Sequence, residues 1–114
     1  QVNDVLKAME ADAGIRLSSI RVDGGASANN YLLQAQADIS GAAVERPRCV
    51  ETTALGAAYL AGLAVGYWDS PADVLKNREV DRVFTPQITE QDREKRIRGW
   101  NKAVRCSYAW AKED

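Results

Sequence analysis

Val2, Val5, Leu6, Met9 and Ala13 recur every three to four positions, the spacing of one helix face, and Gly14 stands where such a helix stops. From Ser19 to Asp23 the period shortens to two, with Ile20 and Val22 between polar neighbours, which predicts a short strand. Gly24 and Gly25 then predict a tight turn. A helix follows from Ala28 to Ile39, N-capped by Ser27 and turning Leu32, Leu33, Gln36 and Ile39 to one side. Gly41 ends it, and Ala42–Arg46 reads as a second strand stopped by Pro47.

The next helix, Thr53–Val65, is capped by Thr52 and closed by Gly66. Its small residues Ala54, Ala57, Ala58, Ala61 and Gly62 suit close backbone approach, and Gly56 and Gly62 read as packing glycines. The uncharged stretch Thr52–Trp68 falls short of the ~20 residues a membrane crossing needs. Glu51 and Asp69 bracket it, so a buried helix is expected and no span. Ser70-Pro71 starts a short helix within Tyr67–Asn77. Val80–Phe84 reads as a strand or an extended arm, broken by Thr85-Pro86. The last helix runs from Thr89 to Lys112, with Ile97, Trp100, Val104 and Tyr108 on its apolar face, Trp110 nearby, and a solvated charged face opposite.

This order predicts an α/β fold in which a strand-helix-strand unit forms a parallel pair with a right-handed crossover. Two or three strands make an incomplete sheet with flanking helices. Apolar area is therefore expected to lie exposed or to be covered by self-pairing. The chain opens on Gln1, inside a helical pattern, and reads as a piece of a longer protein.

Charge narrows the partners. Fifteen basic and 16 acidic residues give a net charge of -1, without the basic excess that nucleic-acid binders carry. The two cysteines, Cys49 and Cys106, have no ligand spacing and read as reduced thiols of a cytoplasmic protein. No His is present, so the commonest general base and metal ligand is missing. No cationic start followed by an apolar run marks a signal peptide.

The segment with chemical content is Ile20-Arg21-Val22-Asp23-Gly24-Gly25-Ala26-Ser27-Ala28-Asn29. A strand runs into two glycines and small residues, then a helix. Glycine leaves no side chain between the backbone and a ligand, and a helix N-terminus offers amide donors to phosphate. Ligands of open α/β sheets bind at the carboxyl ends of strands, where this turn lies. The adjacent glycines fit neither a Walker A loop nor GxGxxG. A ligand-free strand-to-helix turn explains the same residues equally well. Asn29, near the helix start, can donate to and accept from a purine edge or a ribose hydroxyl, or be merely an exposed polar residue. Asp23 reads as a turn-bonding residue, not as a catalytic base.

The run Arg21-Val22-Asp23-Gly24-Gly25-Ala26-Ser27-Ala28-Asn29-Asn30 resembles the adenosine motif of the FGGY carbohydrate kinases, within the actin-like ATPase (ribonuclease H-like) superfamily. Val44-Glu45-Arg46-Pro47, the stretch Glu51–Trp68, Phe84-Thr85-Pro86 and Gly99-Trp100 are similar to the members that phosphorylate glycerol. The resemblance spans 1–114 and implies the C-terminal portion of the nucleotide-binding C-terminal domain. It implies ATP or ADP with Mg2+ as cofactors, glycerol as the second substrate and a homo-oligomer. It assigns nucleotide contact to Gly25 and Asn29, flanked by Gly24 and Ala26. The catalytic base, the glycerol-binding residues, the phosphate loops and the magnesium ligands belong to earlier chain, so these 114 residues alone are expected to be inactive. A sibling sugar kinase and a non-catalytic nucleotide-binding or interaction module are the alternatives.

Overall fold

The computed structural model describes residues 1–108 and 110. The elements run α1 (Val2–Ala13), β1 (Ser19–Arg21), a 3-10 turn (Gly25–Ala28), α2 (Asn30–Ser40), β2 (Ala43–Pro47), α3 (Thr52–Ala64), α4 (Pro71–Lys76), β3 (Val80–Phe84) and α5 (Glu90–Cys106). The three strands lie in the order β1-β2-β3, with β1 parallel to β2 and β3 antiparallel to it. Val80–Phe84 is thus a strand, and the sheet is as small as its two or three strands predict. The extension of α5 to Lys112 falls partly outside the described residues.

Register builds the core. Ile20 pairs with Val44, and Val44 with Phe84, so one row of apolar side chains crosses the sheet. Leu33 and Ala37 of α2 cover that row, and Leu33, Ala37, Val44 and Phe84 are all buried. Period two puts Arg46 and its partner Arg82 on this same covered side. Asp38 on α2 is also buried; its carboxylate accepts from Gln34 Nε2 at 3.0 Å and from the Gln87 amide at 2.7 Å. Arg93 of α5 donates to the Asp38 carbonyl at 2.7 Å, which ties α5 to α2.

Several expected faces and caps are corrected. Of the expected α2 face Leu33 is buried but Leu32 is exposed, with Ala37 buried beside Leu33, and α2 begins at Asn30, two residues later than its sequence pattern suggests. Ser27 does not cap α2: it is buried in the 3-10 turn and its hydroxyl donates to the Gly24 carbonyl at 2.7 Å. Asn29 is the N-cap. Thr52 is not a cap either; it is the first residue of α3, and its hydroxyl donates to the Asp23 carboxylate. On α1 the apolar stripe Val2, Val5 and Met9 is exposed while Asn3 is buried. Tyr108 and Trp110 are exposed, outside any core, whereas Trp100 donates from Nε1 to Asp4 at 2.8 Å.

The expected apolar exposure is present. No residue of α3 is buried, and its Leu60 is 71% exposed. The radius of gyration is 18.5 Å, against about 13 Å for a compact domain of ~100 residues. Among the described residues, no helix is long and apolar enough to cross a membrane.

Candidate functional site

The strand-to-helix turn is held from below by the sheet. The Val22 amide donates to the Glu45 carbonyl at 3.1 Å, and the Gly24 amide to the Val50 carbonyl at 2.9 Å. Gly24 has φ 77°, the left-handed region that disfavours a Cβ. The chain then tightens into the 3-10 turn as the Ser27 amide donates back to the Gly24 carbonyl at 3.0 Å and the Asn29 amide to the Ala26 carbonyl at 3.1 Å. Ser27 points inward; Gly25, Ala26 and Asn29 lie on the exposed side. All four expected residues, Gly24, Gly25, Ala26 and Asn29, therefore share one turn.

The donors of this turn differ from the expectation. Tyr31 and Leu32 in the first turn of α2 have their amides taken, because Asn29 Oδ1 accepts from Tyr31 N at 3.0 Å and Leu32 N at 3.1 Å. Among the described residues the amide of Asn30 and, in the turn itself, those of Gly25 and Ala26 have no acceptor. Asn29 Nδ2 likewise has no acceptor among the described residues, while Oδ1 caps the helix. A Cβ built on Gly25 meets no heavy atom within 4 Å, so the space above the turn is open. Bare backbone, two free amides and one carboxamide donor under open space fit the flat, hydrogen-bonding end of a nucleoside.

Arg46, which the motif reading left without a role, braces the turn. Its Nη1 donates to the carbonyls of Ser27 and Ala28 at 3.1 and 3.2 Å and to Asn30 Oδ1 at 2.8 Å. Its Nε and Nη2 both lie 2.7 Å from Asp81 Oδ2. The signal was in the alternation of β2: a charge on the face that buries Val44 must find partners.

A cavity of about 610 Å³ lies beside this turn on the α3 side. Val22, Asp23, Leu55, Tyr59 and Leu75 line it, and none of Gly24, Gly25, Ala26 or Asn29 does. Charged residues, among them Arg21, Arg48, Arg78 and Glu79, line it as well. Gly56 opens onto it and packs against nothing within 4 Å, contrary to its reading as a packing glycine; Gly62 does pack, against Trp68. Among the described residues no group of three His, Cys, Asp or Glu side chains is placed to hold a metal ion.

With the geometry in hand, comparison with known proteins is informative. Residues 1–65 match the FGGY family of carbohydrate kinases, C-terminal domain. The glycerol kinase of Agathobacter rectalis is 66% identical over 114 residues, all of this chain and 23% of its own length. That of Vibrio cholerae is 56% identical over 111 residues, 97% of this chain and 22% of its own. The chain thus spans under a quarter of these curated relatives. Among solved structures, Plasmodium falciparum glycerol kinase with ADP superposes with a TM-score of 0.81 at 36% identity, covering 94% of this chain and 22% of that one. A xylulose kinase from Lactobacillus acidophilus, at 18% identity and a TM-score of 0.68, shares the fold.

Proposed function

The chain belongs to the FGGY family of carbohydrate kinases, and from that premise we propose that residues 1–114 are the C-terminal portion of the nucleotide-binding domain of a glycerol kinase. Identity of 54–66% to glycerol kinases over nearly the whole chain favours glycerol over the sugars of sibling kinases. In the whole protein, ATP with magnesium supplies the γ-phosphoryl group that a glycerol hydroxyl receives. Such transfers depend chiefly on positioning and charge stabilisation. This chain's share is positioning: Gly24, Gly25 and Ala26 offer bare backbone and amide donors to the adenosine, and Asn29 adds its Nδ2. The magnesium ligands, the base and the glycerol pocket belong to the rest of the protein. The free thiols Cys49 and Cys106 suit a cytoplasmic enzyme, and assembly into a homo-oligomer suits the apolar area left open here.

The observation that carries this reading is the turn, with open space over Gly25 and a helix cap that leaves one amide donor free. A Cβ at Gly25 meets no heavy atom of its own chain within 4 Å, so the cost of Gly25→Val is expected to fall on the ligand. Asn29→Ser keeps a capping oxygen while removing Nδ2, since Ser caps as well as Asn. Steady-state kinetics of the whole enzyme, with folding checked by circular dichroism, should show the KM for ATP raised by up to about tenfold in Asn29→Ser and by more in Gly25→Val. The KM for glycerol should change less in both. A folded Gly25→Val enzyme with an unchanged KM for ATP would sink the assignment.

A further inference from the structure

We propose that Arg46 is a positioning residue for nucleotide binding, acting through the turn and not by contact with the ligand. The inference rests on the assignment of that turn to adenosine and adds what sets its shape. The Arg46 side chain is only 13% exposed and lies within the sheet, one strand away from the turn. It meets three acceptors in succession along the chain, the carbonyls of Ser27 and Ala28 and the Asn30 side chain.

These contacts fix more than the atoms they touch. A peptide unit is planar, so the Ala28 carbonyl and the Asn29 amide turn together. Drawing the Ala28 oxygen toward Arg46 holds the Asn29 N–H on the Ala26 carbonyl, which is the bond that closes the 3-10 turn. The Ser27 carbonyl is held likewise, and the Asn30 side chain anchors the first residue of α2. Asn29 is thereby clamped from both sides, with its extended φ −80°, ψ 105° and its cap on Tyr31 N and Leu32 N preserved.

The clamp is itself oriented. Asp81 on β3 holds Nε and Nη2 through one oxygen, and the guanidinium lies 5.5 Å from the Phe84 ring centroid. Three-sided recognition by one planar, always-charged fork is what Arg offers and Lys does not. β3 is thus coupled to the ligand turn although none of its residues belongs to that turn.

The test is kinetic and uses the whole enzyme. Arg46→Met keeps an unbranched apolar stem and removes the fork, including its stacking over Phe84. Its KM for ATP should rise about tenfold, the scale of one to two lost hydrogen bonds, with the KM for glycerol and kcat changed less than twofold. Arg46→Lys should recover part of the loss. Asp81→Asn should fall between wild type and Arg46→Met. ADP affinity by calorimetry should follow the same order. If Gly25→Val raises the KM for ATP and a folded Arg46→Met does not, the positioning role is wrong while the turn assignment stands. If neither variant raises it, the turn assignment has failed. A lower Tm with both KM values unchanged would make Arg46 purely structural and overturn the proposal. Should Arg46→Met fail to fold, the order of Arg46→Lys and Asp81→Asn decides the question on the same readout.

Discussion

α2 and α3 have 11 and 13 residues, and each follows one strand of the parallel pair β1–β2, yet they fare oppositely. α2 carries mixed polar and apolar residues and buries Leu33, Ala37 and Asp38 against Val44 and Phe84. α3 is apolar almost throughout and buries nothing. Its side of the sheet shows why. The row opposite the core is Arg21, Glu45 and Val83, joined by an Arg21–Glu45 pair at 3.8 Å and an Arg78–Glu45 pair at 3.1 Å, with Val83 half exposed. A helix with one apolar stripe needs one neighbour; a helix apolar all round is built to be covered all round. The relatives are more than four times as long, which leaves ample chain to cover α3.

The sharpest way to break this contrast is to truncate one leucine on each helix in the 114-residue chain. Leu33→Ala should cost about 2–5 kcal/mol, the range for a buried leucine. Leu60→Ala, at a residue 71% exposed, should stay within about 0.5 kcal/mol. Urea unfolding reads both. Equal costs would mean that α3 is covered in solution by a second copy, and a concentration-dependent midpoint would identify that cover. In the whole protein the Leu60→Ala cost should climb toward that of Leu33→Ala.

The two glycines of α3 sharpen the comparison at smaller scale. A Cβ on Gly56 touches nothing, so Gly56→Ala should stabilise the 114-residue chain by about 0.5–1 kcal/mol through helix propensity alone. A Cβ on Gly62 would collide with Trp68 Cζ3, so the indole must move, and it would give up its edge-on stacking with Tyr59, whose ring centroid is 5.3 Å away. That loss should outweigh the propensity gain and leave Gly62→Ala destabilised by about 1 kcal/mol, with a change in tryptophan emission. Destabilisation by Gly56→Ala would show that α3 has a close neighbour there.

Most of the framework was legible from the chain itself. Periods of two and three to four place α1, β1, α2 and α5, Ser70-Pro71 marks α4, and Val80–Phe84 reads as a strand or an extended arm, since such patterns are local. Which faces would be covered was not legible, because that depends on neighbours: the apolar stripe Val2–Val5–Met9 is no less regular than Leu33–Ala37, and it is exposed. At the site, the glycines and Asn29 were found by motif. The exchange of capping duty from Ser27 to Asn29 was not, because both are good caps and only the intervening 3-10 turn decides between them. Arg46 stayed hidden for a related reason. Its acceptors lie 16 to 19 residues earlier and its anchor Asp81 lies 35 later, and pairing across strands brings them together.

Acid should separate the two sides of the molecule with the smallest effect of all. The covered side is held chiefly by the apolar burial of Leu33, Ala37, Val44 and Phe84, to which Asp38 and Asp81 add hydrogen bonds. On the open side, α4 is held by Asp73, which accepts from Lys76 Nζ at 2.6 Å and from the Ser70 hydroxyl at 2.7 Å. Lys76 first, and Ser70 after it, hold the Asp73 carboxyl below its ordinary value. A carboxylate with a depressed folded pKa adds stability above its unfolded pKa and loses it as pH falls through the folded one. The contribution of Asp73 is therefore full above about pH 4 and fades below it. Amide exchange followed by NMR should show α4 opening in that window while α2 amides stay protected. Asp73→Asn should keep the Ser70 cap, lose the lysine pair, and abolish this pH dependence. If α2 and α4 instead lose protection together as pH falls, the two sides unfold as one unit, and the contrast between them is one of exposure only and not of stability.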